Sequence, residues 1–153
     1  MSNQLPSFLG DHRSQISISK RNGDRIKFLK CSRSVDLLFE SRPLSVPLTE
    51  WALGVACAVI WHYAGLRLHA VAAEGDRVDY WVLRHTQEFG LEVSGTTTEN
   101  LESRHREKVR QLRDNPYGVD GYVVVVGFDV RRVIFSYHRN QEVSDEQSKP
   151  TGN

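Results

Sequence analysis

Between Arg77 and Thr96 the chain reads RVDYWVLRHTQEFGLEVSGT, two short alternating runs joined by a polar loop, and this pattern predicts two adjacent strands. Side chains alternate faces along a strand, so Asp79 shares a face with Trp81 and Leu83, and Glu92 shares one with Ser94. Leu91 and Val93 then point the other way, toward a core. Upstream, Ile16 and Ile18 alternate with serines, and Ile26 and Phe28 alternate with basic residues. Asn22-Gly23 between these runs predicts a hairpin over 15–30. The apolar stretch Val35–Phe39 is of undetermined type, and Pro43 and Pro47 make the next segment extended.

Thr49 is placed to cap a helix beginning at Glu50, and Gly65 to stop it. That helix, EWALGVACAVIWHYAGL, is apolar nearly all round, which predicts a central, buried element. A strand over Arg67–Ala73 and a turn at Glu74-Gly75-Asp76 follow. After the two central strands, Thr97 or Thr98 caps a second helix from Glu99 to Arg113, ended by Asn115-Pro116-Tyr117-Gly118. Gly121–Val126 is a β-branched run that reads as a strand buried on both faces, and Val133–Tyr137 is a last strand after a turn at Asp129–Arg132. Residues 1–14 read as loosely ordered, and residues 140–153 as a disordered polar tail. The expectation is one α/β domain over 1–139, a mixed β-sheet flanked by helices and preceded by an N-terminal β-hairpin.

At 153 residues, with 25% charged and 39% hydrophobic positions, the chain has enough material for a single core. The net charge of +1 gives no global field for a polyanion, although Arg104, Arg106, Lys108, Arg110 and Arg113 crowd one helix. The four arginines are expected to be spread round that helix and mostly solvated. Cys31 and Cys57 have no zinc-ligand spacing and fit a reducing compartment. No signal peptide is visible, and the run Trp51–Leu66 is short and broken by His62, so a core helix is expected there and a cytoplasmic location with no membrane contact.

The candidate chemistry rests on Asp79 and Glu92. A carboxylate on each of two adjacent apolar strands is costly to bury alone. Its partner is an Arg or Lys, water at an edge, or a divalent cation, which takes carboxylate oxygens. In the second helix Lys108 falls on the apolar stripe formed by Leu101, His105, Val109 and Leu112. Such an ammonium either bends out to solvent or reaches an anion, here Glu92 or what Glu92 binds. His62 and His69 are expected to be hydrogen-bonded core residues, Trp51, Trp61 and Trp81 to be core, and Gly95 to serve a strand-to-helix turn. Neither a phosphate-cradling Gly-rich loop nor a nucleophile elbow is present.

The order helix, strand, strand, strand, helix, strand, with Asp79 on the second of these strands and Glu92-Val93-Ser94 on the third, resembles the core of the PD-(D/E)XK nucleases, the restriction-endonuclease-like superfamily. The resemblance covers about residues 49–137 and implies an αβββαβ core. It implies that Asp79, Glu92 and the carbonyl of Val93 hold Mg²⁺ or Mn²⁺. Glu50 then binds a second ion or serves as a charge at its helix N-terminus. Lys108 and Gln111 lie where other members carry polar active-site groups. The implied activity is hydrolysis of DNA phosphodiester bonds, in defence or repair. The chain departs from the pattern at Ser94, which stands where the family has its lysine. Lys108 replaces that charge from the helix, or the fold is a catalytically inactive binding or assembly subunit; a third alternative is an unrelated α/β protein with structural acids. Nucleic acid is the partner implied, and the edge hairpin suggests a homodimer or a partner subunit.

Overall fold

A computed structural model describes residues 16–76, 78–97 and 100–140. The expectations for residues 1–14, for a cap at Thr98 and for the tail beyond Asn140 lie outside the described residues. The chain runs β1 (Ser17–Asn22), β2 (Arg25–Leu29), α1 (Arg33–Glu40), α2 (Leu48–Ala64), β3 (Arg67–Val71), β4 (Tyr80–Arg84), β5 (Gln87–Thr96), α3 (Leu101–Arg113), β6 (Gly121–Gly127) and β7 (Arg132–His138).

The strands form one mixed sheet in the order β2-β1-β7-β6-β5-β4-β3. β1/β2, β3/β4, β4/β5 and β6/β7 are antiparallel pairs. β5 and β6 are parallel neighbours, which requires a crossover, and α3 is that crossover. β6 is buried along its whole length, as its β-branched run predicts. Its side chains alternate between two clusters. Val124 and Val126 meet Val55, Val59 and Phe39 from α2 and α1 on one face. Val123 and Val125 meet Leu101 and Leu112 from α3 on the other. The sheet is therefore covered by α1 and α2 on one side and by α3 on the other.

Several details differ from the sequence pattern. In the hairpin Asn22 pairs with Arg25, so the two-residue loop is Gly23-Asp24 and not Asn22-Gly23. Gly23 has φ of 61°, the sign wanted at the first central position of such a loop. The hairpin extends the sheet because β1 runs parallel beside β7, which leaves β2 as an edge with Phe28 71% exposed. The undetermined stretch Val35–Phe39 is helical. The Ser32 side chain caps α1 by accepting from the Val35 N–H, and Val35 and Phe39, one turn apart, are buried.

α2 begins at Leu48 after Pro47, without a side-chain cap, so Thr49 is inside the helix. Gly65 ends it with φ of 66°. It is not central. Ala52, Val55, Ala56, Val59 and Ile60 are buried against the sheet, whereas Trp61 is 60% exposed and His62 is exposed. An all-round apolar helix gives no clue to its inner face, and here only one face has a sheet to meet. His69 is also exposed, on the edge strand β3, where its Nε2 lies 3.9 Å from Glu88.

Gly95 lies inside β5 rather than in a turn, and its role is close packing of α2 on the sheet. A Cβ there would stand 2.6 Å from the Ala52 Cβ and 3.3 Å from the Leu48 carbonyl oxygen. Neither neighbour is the end of a flexible side chain. Gly95→Ala is expected to lower stability by about 1–3 kcal/mol, the usual cost of overpacking; urea unfolding at pH 7 measures it, and an unchanged midpoint would contradict the close approach.

Candidate active site

Asp79 and Glu92 are brought together by the β4–β5 register. Tyr80 pairs with Leu91, and the preceding position continues the ladder: the Asp79 N–H donates to the Leu91 carbonyl at 3.2 Å. Asp79 thus stands just before β4 rather than within it, yet beside Glu92 on the face covered by α3. Its Oδ2 accepts from the Val93 N–H at 3.0 Å, so the carboxylate is held against β5 by backbone. The N–H and carbonyl of one strand residue face the same neighbour, which turns the Val93 carbonyl toward β4 as well.

Lys108 arrives from α3. Leu101 and Leu112 are buried at its two ends and Val109 packs between them, so the stripe that faces the sheet includes residue 108. The Lys108 Nζ lies 3.1 Å from Asp79 Oδ2 and 3.2 Å from Glu92 Oε2. The ammonium does not bend out to solvent.

Glu92 is 1% exposed. Burial, and then the neighbouring Asp79 carboxylate, push its pKa up to about 8, with Lys108 opposing. Burial also works against the charge on Lys108, but Asp79 and Glu92 outweigh it, and the Lys108 pKa is raised. At neutral pH Glu92 is accordingly mostly protonated, and the Lys108 ammonium has both acids within hydrogen-bond distance. A buried charge needs such partners.

Other expected site residues stand apart. Gln111 is exposed on α3, and Glu50 is exposed in the first turn of α2, which packs on the opposite face of the sheet. Among the described residues neither side chain makes a hydrogen bond or ion pair. The Ser94 side chain, on the Glu92 face, is buried. Trp51 and Trp81 are half-buried, and their Nε1–H groups donate to the Leu38 carbonyl at 2.7 Å and to Asp76 Oδ2 at 3.2 Å. Among the described residues no group of three or more His, Cys, Asp or Glu side chains is placed to hold a metal ion. Two carboxylates and a backbone carbonyl do fit Mg²⁺, which keeps several waters and commonly takes one or two carboxylates.

Two features have no counterpart in the sequence pattern. Asp76 is buried and accepts from the Tyr117 hydroxyl at 2.8 Å, the Ala73 N–H at 2.8 Å and Trp81. These bonds, Tyr117 first, hold its pKa below the ordinary value and tie the loop before Asp79 to the segment after α3. In addition, Ser136 of β7 sits between two imidazoles, with its Oγ 2.7 Å from His105 Nε2 and 2.8 Å from His138 Nε2. His105 could be singled out on the inner stripe of α3, but nothing local in the sequence pairs it with β7.

No known family matches the chain, and no curated protein or solved structure matches it either. No helix among the described residues is long and apolar enough to cross a membrane.

Proposed function

We propose that the protein is a metal-dependent phosphodiester hydrolase of the PD-(D/E)XK kind, acting on DNA. One observation carries the reading: Asp79 and Glu92 from neighbouring strands and Lys108 from the crossover helix converge within hydrogen-bond distance. The element sequence α2-β3-β4-β5-α3-β6 supports it, being the order of the nuclease-like core. Asp79, Glu92 and the Val93 carbonyl would hold Mg²⁺ or Mn²⁺. Such an ion, when bound, lowers the pKa of its water and neutralises charge on the phosphate. The chain's own groups do the rest. Asp79 is positioned by the Val93 N–H, and Lys108 supplies the positive charge that Ser94 lacks, on the same sheet face, where it can steady a crowded phosphate. Glu92 holds a proton at neutral pH and must release it to act as a carboxylate ligand.

A second reading, an inactive nuclease-like subunit, is favoured by the place of the Lys108 ammonium: it already bridges the two carboxylates. One experiment separates the two. Calorimetric titration with Mg²⁺ or Mn²⁺ in buffers of different ionisation enthalpy is expected to show release of up to one proton below pH 8, because Glu92 is protonated there. Affinity should tighten by up to about tenfold per pH unit and level off above pH 8. The same preparation should nick plasmid or single-stranded DNA with either ion, and Asp79→Ala and Glu92→Ala, folded by circular dichroism, should not. Absence of both binding and cleavage would leave the inactive reading, and cleavage that survives both substitutions would place the chemistry elsewhere.

A further inference from the structure

A basic groove lies on the other side of α3, away from Lys108. Arg106, Arg110 and Arg113 recur at i, i+4 and i+7, so they form one exposed stripe and are not spread round the helix. Arg104 falls on a different side. Among the described residues none of the three stripe arginines has an acidic partner; the ion pairs of α3 belong to Glu102 and Lys108. The stripe borders a groove of about 430 Å³ between α3 and the end of β7. His105, His138 and Asp114 complete its lining with Val109.

The two imidazoles are joined through Ser136. A hydroxyl has one proton, so with both rings neutral one Nε2 donates to Oγ and the other accepts from it. Both rings are kept neutral at pH 7. Burial, then His105 and Arg113, lower the His138 pKa to about 4. Burial, then Arg21, lower that of His105, with Glu102 opposing. The groove thus carries fixed positive charge from arginines and polar edges from neutral histidines, with Asp114 its one acid.

We propose that this groove seats the phosphate backbone of a nucleic acid strand. Seven residues of helix rise by about 10 Å. Phosphates of one strand recur about every 3.4 Å along a duplex axis, so three arginines over that length match a run of charges better than one. Guanidinium forks take phosphate oxygens in pairs. The contact is to backbone and carries no base choice. It does not depend on the metal or on the Asp79–Glu92–Lys108 cluster.

The test is fluorescence anisotropy of a short labelled single-stranded DNA with the full chain in EDTA, between about 50 and 200 mM KCl. Without divalent ions, failure of the hydrolase reading cannot mimic failure here. The native chain should bind, with affinity falling steeply with salt. Combined Arg106→Ala, Arg110→Ala and Arg113→Ala should weaken binding at least tenfold and flatten the log–log salt slope by about 2, the value for three phosphate contacts to a single strand. Lysine at all three positions should restore most of the slope, and Arg33→Ala, on the opposite helical layer, should change neither quantity. Native affinity and slope in the alanine variant, the result if these arginines only balance the C-terminal dipole of α3, would overturn the proposal. So would absence of binding by the native chain. Displacement by inorganic phosphate, at matched ionic strength, as effective per phosphate as by unlabelled DNA would also overturn it, in favour of a small-anion site.

Discussion

Replacing Glu92 by glutamine is expected to make the protein more stable than the native chain at pH 9, by up to about 5 kcal/mol, while abolishing cleavage. Glu92 titrates near pH 8 in the folded protein against an ordinary value of 4.5, so the folded state holds the proton more tightly. The stability linked to that proton is complete below pH 4.5 and is lost as pH rises to about 8, at up to roughly 1.4 kcal/mol per unit. His138 and His105 work in the opposite sense. Their folded values are lowered, so their contribution is present above about 6.5 and is lost as pH falls, to about 4 for His138. The two effects oppose one another between pH 4.5 and 6.5, and above 6.5 the Glu92 loss stands alone. Asp76 and Glu102, lowered carboxyls, act below the ordinary carboxylate range. Urea unfolding at intervals from pH 5 to 9 should therefore show the native chain losing stability from 6.5 to 8 and Glu92→Gln holding level. Glutamine keeps the shape and an acceptor for Lys108 but has no charge to bury. A native chain whose stability is flat over that window would mean that Glu92 is ionised throughout, and the protonated-acid description of the cluster would fail.

What could be read from the sequence follows the range of the interactions involved. The convergence of Asp79, Glu92 and Lys108 was legible because each periodicity is local. Period-two alternation selects the strand face, the apolar stripe of α3 places residue 108 inward, and the parallel crossover carries that stripe over β5. The β6 strand was legible for the same reason. Legibility failed where the deciding partner is remote or the pattern has no contrast. An all-apolar α2 does not say that Trp61 faces out. The eight residues of α1 are too few to establish a period, and its Ser32 cap is evident only once the helix is seen. Gly95 looks like a turn residue until Ala52 is found against it. The Ser136 link between His105 and His138 joins α3 to β7 across the intervening strand β6, and Asp76 gathers partners from both sides of α3. The basic stripe depends on helix phase: Arg106, Arg110 and Arg113 share one side of α3, and Arg104 does not.

Lys108→Met should lower stability and activity together, because it removes the cation that lies between Asp79 and Glu92 while keeping a long side chain in place. Removing one partner of a buried ion pair costs about 3–5 kcal/mol. Here the loss should be nearer 2–3 kcal/mol, since the Asp79 side chain is 35% exposed and screened by water, and Glu92 can remain protonated. The Lys108 pKa is raised on folding, so its contribution is present below its ordinary value of 10.5 and the loss should persist across pH 5–9. If Lys108 steadies the phosphate, cleavage should drop by about 10²–10³, the cost of deleting one preorganised charge-stabilising group. Binding of Mn²⁺ should move the other way. With the ammonium gone, the two carboxylates lose their internal cation, and the ion meets less competition. Thermal unfolding with and without Mn²⁺ reads this directly: saturation at about 100 times Kd stabilises by about 2.7 kcal/mol, enough to recover what the substitution removes. The rise in unfolding temperature should exceed that of the native chain. A variant that is destabilised as expected but gains nothing from Mn²⁺ or Mg²⁺ would show Lys108 to be the permanent counter-ion of Asp79 and Glu92. The cluster would then be a structural ion network on a nuclease-like sheet, and the hydrolase reading would be abandoned.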